Sequence, residues 1–383
     1  MRIPFNQAYM TGRELGYIAQ AHANRHLAGN GVFTRRCQDW LQQRLGCRKA
    51  LLTHSCTAAL EMASLLADIA PGDEVILPSF TFVSTANAFV LRGAVPVFVD
   101  VRPDTLNLDE ALVEAAITPR TRAIVAVHYA GVPAEMNALL DIAERHNLLV
   151  IEDAAQAVLS EYHGRPAGSL GHLAAISFHE TKNVISGEGG ALLINDARFL
   201  SRAEILWEKG TNRTALLRGE VDKYTWIDVG SSFLPSELIA AFLWAQLEQA
   251  DDILAQRLRA WQTYHEAFAP LEHRGLVRRP QVPEHCRHNA HLYYLLLDGL
   301  EARTRFIERL KRQGIAAVFH YVPLHSAPAG LRYGRVAGPM AVTDRASDSL
   351  VRLPLWLGID AVLPQIIEAV YQACGAVAPR LAA

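Results

Sequence analysis

The sequence predicts an α/β protein with a mainly parallel β-sheet, followed by a smaller C-terminal α+β domain. Short apolar runs alternate with segments of helical period from about residue 50 to 245, as in repeated βαβ units whose sheet is covered on both faces. The alternation stops near residue 246, where a long amphipathic segment begins. The chain has 383 residues, half of them hydrophobic, which is enough for two domains; we place these at 1–245 and 246–383.

Each element of the first domain is predicted from the spacing of its apolar residues and from the turn residues around it. Apolar runs typical of strands lie at 50–53, 74–77, 95–99, 123–128, 148–152, 174–178 and 191–194. Helical spacing is found over 57–68, 84–92, 108–116, 134–145 and about 198–207. Pro71-Gly72-Asp73 marks a turn, and Asp109 lies near the start of the third helix. In such a sheet, ligands bind outside the carboxyl ends of the strands.

The second domain begins with one long predicted helix over 246–268. Its apolar side chains fall on one stripe, formed by Leu247, Ala250, Leu254, Leu258, Trp261 and Tyr264. Strands are predicted at 291–297 and 316–321, and helices at 302–313 and about 363–374. This mixture predicts a smaller α+β unit, which the long helix joins to the first domain.

Composition and charge argue against several classes of protein. With 37 basic and 39 acidic side chains, the formal net charge is −2, which argues against a nucleic-acid binder with a general basic surface. The longest uncharged run, 75–91, contains several polar residues and does not resemble a membrane span. Five scattered cysteines form no disulfide pattern, and the N-terminus has no apolar signal core. We therefore expect a cytoplasmic protein with no nucleic-acid or membrane partner.

Two segments of the first domain end a strand with polar residues. Between Thr53 and Thr57, small hydroxyl residues separate a strand from a helix, whose free backbone N–H groups suit a phosphate. Ser55 could also serve only as the helix N-cap. Glu152 and Asp153 end a buried-looking strand, where a carboxylate could hold a cationic ring nitrogen, cap a helix or bind a metal.

A third segment carries one of the five lysines of the chain. Lys182 follows a short apolar strand and precedes the glycine-rich Gly187-Glu188-Gly189-Gly190, which allows close backbone approach. A shielded lysine has a lowered pKa and can form a Schiff base, whereas the alternative is a solvated lysine in a loop. Lys182 lies 29 residues after Asp153. PLP (pyridoxal 5′-phosphate) needs a lysine for the imine, an acid beside the pyridine nitrogen and a site for its phosphate. Lys182, Asp153 and the helix that starts after residues 53–57 could supply these three.

With these motifs the chain resembles the DegT/DnrJ/EryC1/StrS family of sugar aminotransferases over nearly its whole length. The resemblance is carried by Pro78-Ser79-Phe80-Thr81-Phe82-Val83-Ser84-Thr85, Glu152-Asp153-Ala154-Ala155-Gln156, Ser177-Phe178-His179 with Lys182, and Gly187-Glu188-Gly189-Gly190. It implies fold type I of the PLP-dependent transferases, with a mainly parallel seven-stranded sheet in the large domain. Further segments resemble members that form dTDP-4-amino-4,6-dideoxygalactose: Ser55-Cys56-Thr57, residues 230–237 and residues 319–328.

The resemblance also implies a role for each matching residue in the cofactor site. Lys182 would bind the cofactor covalently and Asp153 would pair with its ring nitrogen, so these two are the catalytic candidates. The other cofactor-binding candidates are Gln156 at the ring hydroxyl, Phe82 on the ring face, and Ser55, Cys56, Thr57 and Ser177 at the phosphate. Ser232 stands where many members have an asparagine that contacts the phosphate of a second subunit. A homodimer or higher homo-oligomer with shared active sites is therefore implied.

The reaction implied by the resemblance moves the amino group of L-glutamate to the 4-keto carbon of dTDP-4-dehydro-6-deoxy-D-glucose. The products are dTDP-4-amino-4,6-dideoxy-D-galactose and 2-oxoglutarate, and the pathway is synthesis of a surface glycan such as enterobacterial common antigen. The candidate nucleotide-sugar-binding residues are His320, Tyr321, His325, Phe5, Asn6 and Asn30. The two histidines could equally be hydrogen-bonded residues at the end of a strand.

Other classes of protein share some of these sequence features. A nicotinamide-dependent dehydrogenase needs Gly-x-Gly-x-x-Gly after the first strand, where this chain has residues 53–57. A PLP-binding regulator would carry a DNA-binding extension. A PLP-dependent sugar dehydratase would replace Lys182 by histidine; it and an aminotransferase of other regiochemistry or stereochemistry are the alternatives kept. On a strand His288 and His291 would point to opposite faces, so no metal site is expected there.

Overall fold

A computed structural model describes residues 2–378, and a large β-sheet lies at its centre. The strands are β1 (Lys49–Thr53), β2 (Glu74–Pro78), β3 (Val95–Val99), β4 (Thr121–Val127), β5 (Leu149–Asp153), β6 (Glu161–Tyr162), β7 (Arg165–Pro166), β8 (Leu173–Ser177), β9 (Gly190–Ile194), β10 (Cys286–Arg287), β11 (Tyr293–Leu296), β12 (Arg335–Val336) and β13 (Leu350–Leu353). The helices are α1 (Glu14–Ala23), α2 (Val32–Leu45), α3 (Cys56–Leu66), α4 (Val83–Val90), α5 (Glu110–Ala116), α6 (Met136–His146), α7 (Leu200–Trp207), α8 (Arg213–Leu217), α9 (Glu237–Leu247), α10 (Ala250–Ala267), α11 (Ala269–His273), α12 (Gly299–Arg312), α13 (Pro328–Tyr333), α14 (Ala341–Ser349) and α15 (Leu363–Ala373).

The large sheet has the strand order β1-β9-β8-β5-β4-β2-β3-β12. Neighbouring strands from β8 to β12 in this order are parallel, while β9 is antiparallel to both β8 and β1. All seven predicted strands of the first domain belong to this sheet. The eighth, the two-residue β12, comes from the C-terminal part of the chain and pairs with β3. It is held there by Arg335, whose guanidinium forms an ion pair with the buried carboxylate of Glu74 at 2.7 Å.

The sheet is covered by helices on both faces, which explains why its strands are continuous apolar runs rather than alternating ones. All five residues of β2, β8 and β9 are buried. Helices α3, α4 and α7 pack on one face, and α2, α5, α6 and α9 pack on the other. Because β2, β4, β5 and β8 are parallel, their carboxyl ends meet at one edge of the sheet. The loops that follow these strands carry the candidate site residues.

The C-terminal part of the chain has a core of its own. Strands β11 and β13 form a two-stranded antiparallel sheet, and side chains of α10, α12 and α15 pack with it. Ile3, near the N-terminus, joins this core. The predicted long helix was wrong in one respect, because α9 ends at Leu247 and α10 begins at Ala250. The predicted strand at 316–321 was also wrong: this stretch forms only the isolated bridge between Val318 and Arg352.

Helices α1 and α2 precede the first element that the sequence predicted. In α2 the residues Phe33, Cys37, Leu41 and Leu45 recur every fourth position and are buried against α9 and β1. Within residues 2–378, none of the helices has both the length and the apolar character that crossing a bilayer requires.

Candidate active site

The carboxylate of Asp153 lies at the carboxyl end of β5 and is almost completely buried. The hydroxyl of Thr85 donates a hydrogen bond to its Oδ2 at 2.7 Å, and the backbone N–H of Ala155 donates to its Oδ1 at 3.2 Å. Thr85 is itself 2.8 Å from the hydroxyl of Thr81. In the part of the chain that is described, no basic side chain forms an ion pair with Asp153. The carboxylate is thus oriented by neutral donors and can pair with a cationic ligand.

Glu152 precedes Asp153 and points to the opposite face of the strand, where its role is structural. Its carboxylate accepts hydrogen bonds from the backbone N–H groups of residues 168, 170 and 171 and from Nε2 of His128. The backbone N–H of Ala134 donates to Nδ1 of His128 at 3.1 Å, so the imidazole proton lies on Nε2. These contacts fix the end of β5 and thereby the position of Asp153.

Lys182 lies in the loop that follows β8. Its backbone N–H donates to the carbonyl of His179 at 2.9 Å, and its half-buried side chain lies within electrostatic range of Asp153. Burial lowers the pKa of the Lys182 amine, and the negative charge of Asp153 opposes this shift only in part. A lowered pKa increases the fraction of neutral amine, which is the form that attacks an aldehyde.

The start of α3 forms the other end of the site. Ser55 is the N-cap, since its Oγ accepts from the backbone N–H of Ala58 at 3.1 Å, as one of the two readings of this segment expected. The N–H groups of Cys56 and Thr57 come next and have no acceptor within the helix. The Thr57 hydroxyl lies 2.8 Å from the hydroxyl of Ser84 in α4. Burial raises the pKa of the Cys56 thiol, which keeps it neutral.

A glycine makes room for this helix start. A Cβ added to Gly190 would lie 2.5 Å from the backbone nitrogen of Cys56, a distance that no side chain tolerates. The glycine-rich segment of the sequence is therefore required by the close passage of β9 beside α3. Ser177, at the end of β8, is buried next to it in register with Gly190.

Phe82 presents an exposed aromatic ring beside these groups. It occupies the N-cap position of α4, and 57 % of its surface is accessible. A large exposed ring on a loop next to a buried carboxylate suits stacking on a planar ligand. The amine, the carboxylate, the exposed ring and the free helix start together fit a phosphorylated pyridine aldehyde.

A network of polar aromatic side chains closes the site on the side of the C-terminal part. The amide of Gln156 accepts from the backbone N–H of Ala130 and donates to the hydroxyl of Tyr321, both at 2.8 Å. The ring of Tyr321 stacks on His320 at 3.7 Å, and Nδ1 of His320 lies 2.7 Å from the hydroxyl of Tyr129. Burial raises the pKa of both tyrosines and lowers the pKa of His320. All three side chains are therefore neutral near pH 7.

The N-terminal segment lies against the same region. The guanidinium of Arg352 lies over the ring of Phe5, 4.8 Å from the ring centroid. Asn6 donates to the backbone carbonyl of Glu180, two residues before Lys182. Sequence analysis did not select Arg352, Thr85 or Tyr129. Two sequence features could have indicated the first two: Arg352 interrupts the apolar strand β13, and Thr85 ends the segment 78–85 that carries the family resemblance.

Three other candidates are held by hydrogen bonds to other segments. His325 is bound by Ser79 at the end of β2, with its Nδ1 2.8 Å from the serine hydroxyl. Asn30 donates to the buried carboxylate of Glu208 at 3.2 Å, and the backbone of Glu208 pairs with Ser232. The hydrogen bonds and ion pairs of residues 2–378 connect none of the three directly to Lys182.

The segment around Ser232 nevertheless borders the start of α3. The residue after it, Phe233, accepts a hydrogen bond from the backbone N–H of His54 at 3.0 Å. The imidazoles of the 285–291 segment are separated: His285 binds Glu135 at 2.9 Å and His288 lies on Trp261. Among the described residues, no three potential ligands are grouped so that they could hold a metal ion.

The chain matches known proteins over most of its length. Residues 9–370 match the model of the DegT/DnrJ/EryC1/StrS aminotransferase family. GDP-perosamine synthase of Caulobacter vibrioides is 34% identical over 97% of this chain and 98% of its own. The spore coat polysaccharide biosynthesis protein SpsC of Bacillus subtilis is 38% identical over 74% of each chain. Among solved structures, DesV of S. venezuelae, in complex with a ketimine intermediate, superposes with a TM-score of 0.88 at 29% identity, covering 98% of this chain and 99% of that one.

Proposed function

The chain belongs to the DegT/DnrJ/EryC1/StrS aminotransferase family, and from this premise we propose that it moves an amino group from L-glutamate to a nucleotide-linked 4-keto sugar. Its fold is fold type I of the PLP-dependent transferases, as predicted, and its cofactor is pyridoxal 5′-phosphate. The acceptor in this proposal is dTDP-4-dehydro-6-deoxy-D-glucose. The products are dTDP-4-amino-4,6-dideoxy-D-galactose and 2-oxoglutarate, for a surface glycan such as enterobacterial common antigen.

The observation that carries the proposal is that the amine of Lys182 lies within electrostatic range of the buried carboxylate of Asp153. PLP supplies an aldehyde that links to amines and a cationic ring that accepts the electron pair released when a proton leaves the donor carbon. Asp153 would hold the ring nitrogen in its protonated form, supported by the hydroxyl of Thr85. Lys182 would bind the cofactor, be displaced by the amino donor, and then carry the proton from the donor carbon, for which its lowered pKa suits it.

The remaining cofactor contacts in the proposal follow from the surrounding side chains. Phe82 would cover one face of the ring, and Gln156, oriented by Ala130 and Tyr321, would lie at the ring hydroxyl. The free N–H groups at the start of α3, with Thr57 and Ser177, would hold the phosphate. The neutral pair of Tyr321 and His320 would border the sugar, with Phe5, Asn6 and His325 around it.

The proposal includes a homodimer in which a second subunit completes each site. Ser232 and Asn30 meet at Glu208 beside the start of α3, and the stretch that precedes Ser232 has exposed apolar side chains. In this stretch Trp226 is 79 % accessible, and Tyr224 and Ile227 are also exposed. Large exposed apolar side chains of this kind are typical of a surface that another protein covers. A cytoplasmic location is also proposed, supported by five cysteines that form no disulfide.

The experiment that tests this function combines the purified protein with PLP, L-glutamate and a panel of 4-keto nucleotide sugars. The proposal predicts 2-oxoglutarate and, from the dTDP-linked sugar, a 4-amino product whose galacto configuration is read by NMR. The panel includes GDP-linked acceptors, because one relative is a GDP-perosamine synthase. Amination of a GDP sugar alone, or at another carbon, would replace the proposed substrate while keeping the aminotransferase. Loss of the sugar hydroxyl without amination would favour the dehydratase alternative.

A further inference from the structure

Arg352 is a half-buried cation that forms no ion pair within residues 2–378. It lies on β13, where its backbone pairs with Val318 by hydrogen bonds in both directions. Within residues 2–378 no carboxylate lies within 4 Å of its guanidinium. The neighbouring groups that could carry a negative charge are the phenols of Tyr129 and Tyr321. Both phenols are neutral near pH 7, since burial raises their pKa. A cation that is partly withdrawn from water and has no charged partner favours a ligand of opposite charge.

The contacts of the guanidinium leave one edge open. Its Nε and Nη2 both donate to the carbonyl of Phe319, at 3.3 and 3.0 Å, and its plane lies over the ring of Phe5. The edge formed by Nη1 and the remaining N–H of Nη2 has no acceptor in the described part of the chain. This edge has the two parallel donors that match a carboxylate in bidentate fashion.

The N-terminal segment links Arg352 to the loop of the reactive amine, because Phe5 lies under the guanidinium and Asn6 donates to the carbonyl of Glu180, two residues before Lys182. The charge of Arg352 lowers the pKa of Lys182, of His320 and of His291, so all three side chains lie within its electrostatic range. The carboxylate of the site, Asp153, is already held by Thr85 and Ala155. Among the described residues, the positive charge of Arg352 is therefore not balanced by a carboxylate.

We propose that Arg352 binds the α-carboxylate of the amino donor. This inference rests on the proposed function and deepens it by naming the group that selects an amino acid as donor. An α-carboxylate is attached to the carbon that carries the transferred nitrogen, so it must lie near Lys182. The diphosphate of a nucleotide sugar is separated from its C4 carbon by the width of the hexose ring, and the cofactor phosphate has the start of α3.

The test separates the two half-reactions of the holoenzyme. The donor half is followed by the change in cofactor absorbance on mixing with L-glutamate, L-glutamine or 4-aminobutyrate, which lacks the α-carboxylate. The acceptor half starts from the pyridoxamine form and uses the 4-keto sugar that wild type accepts. Variants are R352Q, R352K and, as a matched control, R303Q, which removes another guanidinium stacked near this strand, 5.5 Å from the ring of Phe319. Retained cofactor and thermal unfolding are measured for each.

For R352Q we expect kcat/KM to fall on the order of 100-fold with both L-glutamate and L-glutamine. Most of this loss should lie in KM, while 4-aminobutyrate and the acceptor half change by less than about 3-fold. R352K should lose less than R352Q, and R303Q should behave as wild type. A loss with glutamate but not glutamine would assign the side-chain carboxylate and overturn the proposal. A loss confined to the acceptor half, equal losses in both halves, or release of the cofactor would also overturn it. If wild type itself fails to react with L-glutamate, the proposed function falls, and this inference with it.

Discussion

Removal of the Thr85 hydroxyl is the substitution with the clearest structural consequence for the cofactor site. A carboxylate only accepts hydrogen bonds, so Thr85 must donate to Asp153, and Thr81 must then donate to Thr85. All three side chains are buried. Thr85→Val keeps the shape but removes the donor to Asp153 and the acceptor for Thr81. A hydrogen bond to a charged group is worth about 1.5–3 kcal/mol, which corresponds to a loss of about 10- to 100-fold.

We expect this loss in the rate of the donor half-reaction, in the dissociation constant of PLP, or divided between them. The assay is stopped-flow absorbance with L-glutamate, together with a PLP titration of the apoprotein. Thr85→Ser keeps the hydroxyl and should recover most of the loss. Thr81→Val leaves the bond between Thr85 and Asp153 intact and serves as the control. The reasoning is refuted if T85V equals wild type within about 2-fold, or if T81V loses as much as T85V.

Three further predictions concern the same edge of the sheet and the C-terminal core. Asp153→Asn should still bind PLP but turn over at least about 100-fold more slowly, because the charge that holds the ring cation is lost; a near-normal rate with L-glutamate would remove Asp153 from its role. Glu152→Gln places an NH₂ group among four donors and should lower the free energy of unfolding in urea by about 2–6 kcal/mol; a loss below about 1 kcal/mol would contradict this. Burial lowers the pKa of His288 to about 4, so below pH 6.5 the unfolded chain binds a proton that the folded chain does not, and this group should cost about 2 kcal/mol of stability between pH 7 and pH 5. Urea unfolding of wild type and H288Q at both pH values measures it, and an equal pH dependence in the two proteins would disprove it.

The sequence predicted the parts of the fold that depend on local pattern. Each of the seven first-domain strands in the large sheet was an apolar run of the right length, and the motif residues at strand ends were brought to one edge because parallel strands end together. The two-residue strands β6 and β7 were not predicted. Lys182 and Asp153 could be paired in this way without a structure. The division of the chain at residue 245 and the roles of the individual site residues stay predictions.

The features that the sequence did not predict depend on contacts between distant segments. No glycine or proline marks the break between α9 and α10, so the apolar stripe appeared continuous. The stretch from residue 316 has the composition of a strand but makes only single backbone pairings, of Ala316 with Ile3 and of Val318 with Arg352. Arg352 is more than 340 residues from Phe5 in the chain, and only the fold brings them together. Asn30 and Ser232 are 202 residues apart and meet only through Glu208, which no local pattern could reveal.

The measurement that tests the account most directly is the identity of the lysine that binds the cofactor. The purified protein is incubated with PLP, reduced with borohydride to fix the linkage, digested and analysed by mass spectrometry. The account predicts the phosphopyridoxyl mass on Lys182, and no such adduct in K182A. The chain has only four other lysines, at positions 49, 209, 223 and 311. Specific modification of any of these, or a reduced protein with no adduct at all, would contradict the account.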